Sequence, residues 1–240
     1  MLENSKGGRE FVIVLCFLWK DPEFQHRHLF VYDAHYVNVL RSMLDRHLTL
    51  PHELVCCADD PEGIDPDVRI VPLPKEAWDL GTYNRKIYVF HPDAKELFGS
   101  RILMLDLDVV LVGNIDEFAS RTEPFVGWAG HPNGKNRFNT SFVLMDGGAF
   151  PEVWEDFTPD SLDFLKAEGY DGFEQDWVSV KIGQRGVAIP RGGAGIDSFG
   201  SIRSRPLPES TRMVFFNGRS SPKMSQCRKD APWIEDHWKD

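Results

Sequence analysis

The sequence predicts an α/β fold in which a mixed, mostly parallel central sheet is flanked by helices. Apolar, strand-like segments alternate with helical patterns over the first half of the chain, which is typical of layered α/β domains. The 240 residues are 42% hydrophobic and 27% charged, a composition within the range of folded globular proteins. No repeat or long low-complexity run divides the chain, so we expect a single domain.

Five elements are predicted in the first part of the chain. An uninterrupted apolar run predicts a buried strand at residues 11–18. Apolar residues spaced three and four positions apart then predict an amphipathic helix over about 33–47. Strand character returns at 53–58 and 68–72, on either side of a turn cluster rich in Asp, Pro and Gly. A short helix is predicted at 84–90.

The remaining elements begin with the most apolar segment of the chain. Residues 102–112 are interrupted only by two aspartates, and we expect them to form a central strand. A further strand is predicted at 139–145 and a helix at 173–182. A glycine-rich loop, 191–200, separates these elements from a late strand at 213–216.

Charge and cysteine usage narrow the classes of function and the compartment. With 27 Lys and Arg against 37 Asp and Glu, the net charge of −10 argues against bulk nucleic-acid binding. The polar N-terminal segment resembles no secretory signal, and the first apolar run is too short to cross a bilayer, so we expect no transmembrane segment and a cytoplasmic protein. The four cysteines lack zinc-type spacing and are expected to be reduced, buried thiols.

The predicted organisation has three parts. We expect residues 1–10 to form a flexible leader, 11–223 the folded domain, and 224–240 a polar, tryptophan-containing tail.

Two aspartates stand out within the most apolar segment, which reads RILMLDLDVVLVGNIDE over residues 101–117. In an extended chain, the i, i+2 spacing of Asp106 and Asp108 places both carboxylates on one face. Like charges among apolar neighbours repel and lose hydration, so a cation or protons must compensate them. Carboxylate oxygens suit Mn²⁺ or Mg²⁺, which commonly bind one or two carboxylates together with substrate phosphates. The alternative is a strand end with two solvated aspartates.

This segment resembles the DxD motif of glycosyltransferases with the GT-A fold, especially the glycogenin-like family 8 and its bacterial and phage relatives. Four further blocks resemble that family in the expected order: Asn84-Arg85-Lys86, residues 139–145, Glu174-Gln175-Asp176, and residues 216–223. The resemblance covers roughly residues 11–223. It implies a single GT-A (Rossmann-like) domain.

The resemblance also implies roles at the donor end of the site. Asp106 and Asp108 would hold a divalent metal, and Asp106 the donor as well. Lys86 would neutralise the phosphates of the donor, although it could equally be a solvated helix lysine. Asn139 would face the transferred sugar or the acceptor, with turn capping as the alternative. Trp19, at the end of the first strand, lies where GT-A folds seat the nucleotide base.

The catalytic residues implied by the resemblance are those of the triplet at 174–176. In the family, an acidic residue here binds sugar hydroxyls and the following Gln lies near the anomeric carbon. Glu174 replaces the usual Asp, so either Glu174 or Asp176 could supply the contacting carboxylate beside Gln175. The alternative is a charged first helical turn, which the helix dipole favours in any protein.

The C-terminal block departs from the family pattern. A histidine that completes the metal site in glycogenin-like enzymes is absent from VFFNGRSSPK at residues 214–223, where only Asn217 offers a neutral oxygen ligand. Metal dependence is therefore uncertain. Gly218, Arg219 and Lys223 remain candidates for donor binding, since two cations flank a glycine that lets backbone approach a phosphate.

The function implied is transfer of a hexose from a nucleotide-diphosphate sugar, most simply a UDP-sugar, to an unknown glycan, protein or small-molecule acceptor. Retention of anomeric configuration and assistance by Mn²⁺ or Mg²⁺ are expected. One alternative is a module that binds a nucleotide sugar without catalysis. Another is a phosphatase of the haloacid-dehalogenase type with Asp106 as nucleophile, which the late position of the motif and Val109 in place of glycine disfavour.

Overall fold

A computed structural model describes residues 11–20 and 31–240 of the chain. The predicted leader, residues 1–10, lies outside the described residues. Within the described part, ten strands form two sheets. They are β1 Val12–Leu18, β2 His52–Ala58, β3 Arg69–Pro72, β4 Arg101–Leu105, β5 Val109–Leu111, β6 Phe125–Ala129, β7 Phe138–Asp146, β8 Val187–Ile189, β9 Ile196–Ser198 and β10 Met213–Phe215.

Short helices and one long helix connect and cover the strands. A 3-10 helix spans Thr82–Phe90 and another spans Gly183–Arg185. The α-helices are α1 Ala34–His47, α2 Lys75–Trp78, α3 Ala94–Leu97, α4 Asp116–Ala119, α5 Glu152–Glu155, α6 Pro159–Ala167, α7 Glu174–Ile182, α8 Phe199–Ile202, α9 Ser225–Asp230 and α10 Trp233–His237.

The central layer is a mixed sheet of seven strands in the order β3-β2-β1-β4-β7-β6-β8. β1 is parallel to β2 and β4, whereas β7 is antiparallel to both of its neighbours. All seven residues of β1 are buried, which is the pattern of a parallel strand covered on both faces. The predicted mixed, mostly parallel sheet is confirmed.

The structure contradicts the prediction of one continuous strand over residues 102–112. β4 ends at Leu105, and the turn Asp106-Leu107-Asp108 sends the chain into β5, which belongs to a separate three-stranded sheet ordered β5-β10-β9. Both halves of the segment are buried strands, so the apolar pattern alone does not show that they belong to different sheets. The two aspartates therefore lie on a turn between two sheets.

Other elements differ less from the sequence prediction. Most predicted strands, and the helices at 33–47 and 173–182, are confirmed within one or two residues, but the segment at 84–90 forms a 3-10 helix that begins at Thr82. β6, β8, β9 and α6 were not predicted, and the predicted loop at 191–200 is wrong in its second half, which forms β9 and the start of α8. β6 and β8 are only five and three residues long, and such short runs give weak periodicity.

Two hydrophobic clusters occupy the two faces of the central sheet. Alternate residues of β1 face opposite sides, so Val14 joins one cluster and Leu15 the other. The adjacent Cys56 and Cys57 are divided in the same way. All four cysteines are buried and free, as predicted.

The predicted tail, residues 224–240, folds onto the first of these clusters. Cys227 on α9, Ile234 on α10 and Trp238 directly after α10 are buried in the same core as β1 and α1. The Trp238 ring lies edge-on to Tyr36, with ring centroids 5.3 Å apart. No helix in the described residues is both long enough and apolar enough to cross a membrane.

We expect Trp238→Ala to lower the free energy of unfolding by about 3–5 kcal/mol, because it removes a large side chain that is only 3% exposed. Urea denaturation measures the change. Lys229→Ala, an exposed position on α9, is the matched control and should leave stability within about 0.5 kcal/mol. If both variants unfold like the wild type, the C-terminal helices contribute nothing to the core.

Candidate active site

The turn that carries Asp106 and Asp108 lies at the carboxyl end of β4 and is tied to β7. The backbone N–H of Asp106 donates to the carbonyl of Ser141 over 3.0 Å, and the N–H of Val109 donates to the carbonyl of Asp106 over 3.3 Å. These bonds close the turn and hold it beside the first residues of β7. Ligands of open α/β sheets bind at this edge.

Lys86 links the aspartate turn to the triplet on α7. Its ammonium lies 3.0 Å from Asp106 Oδ1 and 3.1 Å from Glu174 Oε1, and it donates to Thr140 Oγ1 over 3.5 Å. The Lys86 residue is only 8% exposed. An ammonium has three donors, and three protein oxygens surround this one. Lys86 is therefore a buried bridge, and its predicted contact with the phosphates of a donor stays a prediction.

The charge on Lys86 is maintained by its two carboxylates. Burial opposes the charged form, but the negative charges of Asp106 and Glu174 outweigh it and raise the pKa of Lys86 above its ordinary value. Thr140 adds a hydrogen bond from its hydroxyl to Glu174 Oε1 over 2.8 Å. The network thus joins the 3-10 helix, the aspartate turn, β7 and α7.

Asp108 has a different environment from Asp106. It is 7% exposed, and its Oδ2 accepts a 2.7 Å hydrogen bond from the hydroxyl of Tyr32. Burial and the charge of Asp106 raise the pKa of Asp108 to about 8, although the Tyr32 hydrogen bond acts in the opposite direction. The folded protein by itself therefore disfavours the charged form of Asp108.

The three residues of the triplet at the start of α7 have separate roles. Glu174 is buried in the Lys86 network. Gln175 is half-buried and lines the cleft, and its side-chain amide has no hydrogen-bond partner among the described residues. Asp176 accepts from the backbone N–H groups of Gly172 and Phe173 over 2.7 and 2.9 Å, which caps the helix. Burial nevertheless raises the pKa of Asp176.

Asn139 and the C-terminal block contribute to the same cleft. Asn139 lines it from within β7, and its Oδ1 accepts from the N–H of Ser141 over 2.9 Å. Asn217 and Gly218 also line the cleft, and the φ of +74° at Gly218 is a conformation that favours glycine. Arg219 is exposed and lies outside the lining.

Lys223 lies apart from the other predicted donor-binding residues. Its ammonium contacts Asp33 Oδ2 at 2.7 Å, at the start of α1. It also lies 5.5 Å from the centre of the Tyr36 ring. The structure therefore places Lys223 outside the cleft lining.

Trp19 lies close to the aspartate turn, on the wall of a small cavity of about 50 Å³ that Lys86 and Asp106 also line. The guanidinium of Arg85 lies 5.5 Å from the Trp19 ring and 4.0 Å from the Trp78 ring. Base stacking on Trp19 stays a prediction.

Eight of the twelve predicted site residues line one cleft of about 530 Å³, whereas Trp19, Asp176, Arg219 and Lys223 do not line it. Its volume falls within the range of small-molecule sites. An exposed aromatic ring, Phe173, lies at its rim. The predicted residues that line it are Lys86, Asp106, Asp108, Asn139, Glu174, Gln175, Asn217 and Gly218.

The residues present fit a divalent cation that shares its coordination with a ligand. Asp106 and Asp108 supply hard oxygen atoms on one turn, and Asn217 lines the same cleft. Burial and the negative charge of Asp106 raise the pKa of Asp108, and a cation would counteract both by stabilising the charged form. No group of three His, Cys, Asp or Glu side chains within the described residues forms a metal site. Such an ion would therefore need oxygens from water or substrate.

Sequence reasoning missed two contributors to the site. Tyr32 lies 76 residues before Asp108, and nothing in the sequence pairs them. Thr140 lies within the block that was matched around Asn139, but its hydroxyl contact with Glu174 joins residues 34 positions apart. The sequence does contain one signal for Thr140, which is a hydroxyl side chain directly after the predicted site residue Asn139.

Two solved glycosyltransferase structures share this architecture. The galactosyltransferase LgtC, in complex with donor and acceptor sugar analogues, matches with a TM-score of 0.58 and 10% identity over 95% of this chain and 97% of its own. The glycosyltransferase GlyE of Streptococcus pneumoniae TIGR4 matches with a TM-score of 0.61 and 10% identity over 92% of this chain. The chain has the GT-A glycosyltransferase fold. It spans only 60% of the length of GlyE. No protein-family model matches the sequence, and no curated protein sequence matches it.

We expect Lys86→Met to destabilise the protein by about 3–5 kcal/mol, because it leaves the buried carboxylate of Glu174 and the partly buried carboxylate of Asp106 without their cation. Adding Glu174→Gln removes one of those charges, so the double variant should be more stable than the sum of the single changes predicts. Urea denaturation of the four proteins gives the coupling.

The exposed pair Asp163 and Lys166 provides the matched control, since its coupling should be near zero. Strict additivity of the Lys86 and Glu174 changes would contradict the bridging role.

Proposed function

We propose that the protein is a glycosyltransferase that moves a hexose from a nucleotide-diphosphate sugar, most simply a UDP-sugar, to an acceptor. The observation that carries the proposal is the Lys86 bridge between Asp106 and Glu174, within a cleft of about 530 Å³ at the carboxyl end of β4. This bridge brings together the two sequence blocks that resemble the donor and catalytic motifs of the family. The GT-A fold supports the proposal.

At the donor end, Asp106, Asp108 and Asn217 would hold Mn²⁺ or Mg²⁺. When bound, such an ion supplies positive charge that stabilises a leaving diphosphate. Lys86 fixes the orientation of Asp106 through its 3.0 Å contact. Tyr32 fixes Asp108 in the same way through its hydroxyl. Gly218, which has no side chain, allows a phosphate to approach the backbone.

At the sugar end, Gln175 is the member of the triplet whose polar group is available in the cleft. Oε1 of Glu174 contacts Lys86 and Thr140, so Glu174 would fix the positions of these two side chains. Its second oxygen, Oε2, would accept a hydrogen bond from a sugar hydroxyl. Asp176 supports the start of α7 by accepting two backbone N–H groups. Retention of anomeric configuration remains part of the proposal through the family resemblance.

The GT-A fold favours a transferase over the phosphatase alternative, in which Asp106 would be the nucleophile. The ion pair with Lys86 stabilises the charged form of Asp106 and fixes the position of its carboxylate. The non-catalytic module differs from an enzyme only in turnover, so an assay of donor hydrolysis or transfer separates the two.

A cytoplasmic setting is also proposed, supported by the four buried free thiols.

We expect Asp106→Asn and Asp108→Asn to lower turnover on the active UDP-sugar by roughly 10²–10³-fold, because each removes a charge that stabilises the diphosphate end. Release of UDP, with Mn²⁺ present, measures turnover. The exposed Asp163→Asn is the control and should retain full activity.

Asp108→Asn separates function from stability. Since burial and Asp106 disfavour the charged form of Asp108, the neutral amide should unfold no more easily than the wild type at neutral pH. Near-normal turnover of both Asp variants would refute the donor-site assignment. A loss of stability without loss of turnover would indicate a purely structural role for Asp108.

Mn²⁺ should bind weakly to the unliganded protein and more tightly once UDP is present, because two carboxylates and one amide leave the coordination incomplete. The coupling must be reciprocal, so Mn²⁺ should raise the affinity for UDP by the same factor. Isothermal titration of each ligand with and without the other measures both factors, and chelation by EDTA should abolish the effect.

Asn217→His should tighten Mn²⁺ binding in the absence of UDP if this position faces the ion. Val180→His, on the exposed surface of α7, should not. Tight Mn²⁺ binding to the unliganded wild type would show that residues other than these three complete the site.

A further inference from the structure

A second cavity of about 480 Å³ adjoins the cleft along the glycine-rich loop. The two cavities share His131, Arg191 and Ser198 as lining residues, so they lie next to each other. Asp106 and Asp108 line only the first cavity. The second cavity therefore lies beside the proposed donor site but away from the carboxylates assigned to the diphosphate.

Arg191 is held in position in the wall between the two cavities. Its Nε donates to the carbonyls of Ala129 and Gly130, over 2.9 Å in each case. Its guanidinium also lies 3.9 Å from the centre of the buried Trp128 ring. These contacts fix the plane of the guanidinium without using its two terminal nitrogens.

The terminal nitrogens of Arg191 have no acceptor among the described residues, and no carboxylate there forms an ion pair with it. Arg191 is half-buried, and burial lowers its pKa. A fixed, partly desolvated guanidinium with both terminal nitrogens available matches the planar geometry of a carboxylate or phosphate.

The other polar groups of the second cavity are also suited to an anion. Arg205 and His131 are exposed in its lining, and Ser201 adds a hydroxyl group. One acid, Asp197, lines the cavity as well, but it is only 8% exposed and its Oδ2 accepts from the hydroxyl of Thr211 over 2.7 Å. Two arginines against one largely buried aspartate make this a cationic site on a protein whose net charge is −10.

We propose that the second cavity binds the anionic group, a phosphate or a carboxylate, of the sugar acceptor, an inference that rests on the proposed transferase function. The acceptor is then a sugar phosphate or an acidic saccharide. Its anionic group lies against Arg191 and Arg205. Its sugar ring extends past Ser198 into the cleft that Gln175 lines, where a hydroxyl group meets the donor.

Direct binding tests this assignment independently of turnover. Glucose 6-phosphate, glucuronate and glucose serve as probes and are titrated into the full-length protein with UDP and Mn²⁺ present. The two anionic probes should bind at least about tenfold more tightly than glucose, because each can form a charge-assisted pair with an arginine that glucose cannot form. A preference for one anionic probe identifies the anion as phosphate or carboxylate.

Arg205→Gln should weaken the anionic probes about fivefold or more and leave glucose and UDP binding unchanged, and Arg191→Gln should weaken the anionic probes by a similar factor. Arg203→Gln, an exposed arginine outside the cavity, is the matched control and should change nothing. Because Arg205 is exposed, its variant remains informative if Arg191→Gln folds poorly.

Equal affinities for charged and neutral probes would overturn the proposal, as would anionic binding that survives both substitutions. Displacement of UDP by glucose 6-phosphate would assign the anion to the donor cleft instead. Failure of the transferase function has a different signature, since turnover of the UDP-sugar would then be absent, whereas the contrast between the probes would still decide the anionic cavity.

Discussion

The buried ammonium of Lys86, held between Asp106 and Glu174, is the interaction on which the site depends. Removing three charged groups from water costs several kcal/mol for each ion unless their charges are matched and hydrogen-bonded. Thr140 supplies a further polar partner, and the pKa of Lys86 remains raised despite its burial. The network therefore connects four segments that are distant in sequence, and loss of Lys86 leaves Glu174 buried without its cation.

The fold brings these charges together by ending several elements at one edge. β4 stops where its apolar run meets Asp106, and the chain turns there into the small sheet that carries β10 and the residues after it. β7 pairs antiparallel to β4, so its first residues lie beside that turn, and α7 supplies Glu174 across it. Asp108, at the end of the same turn, has a pKa raised to about 8. This unfavourable charge is consistent with a site that accepts a cation together with a ligand.

Local sequence patterns predict much of this fold. β1 is predictable because its apolar run is continuous, and α1 because its apolar residues recur at helical spacing. The break at Asp106 is not, since an apolar run does not specify which sheet its residues join. The order of the motifs predicts that Lys86, Asp106 and Glu174 belong to one site, but not that Lys86 makes contact with both acids. The roles of Tyr32 and Arg191 cannot be predicted from the sequence, because they depend on contacts with residues about 60 or more positions away.

The central claim is that the cleft around Asp106 and Asp108 holds the diphosphate of a nucleotide sugar. A crystal structure of the protein with UDP and Mn²⁺ tests it most directly. The account predicts electron density for the diphosphate and for a metal ion beside Asp106 and Asp108, with Lys86 still in contact with Asp106 and Glu174. UDP bound at another surface, or bound in the cleft with its phosphates turned away from the two aspartates, would contradict it.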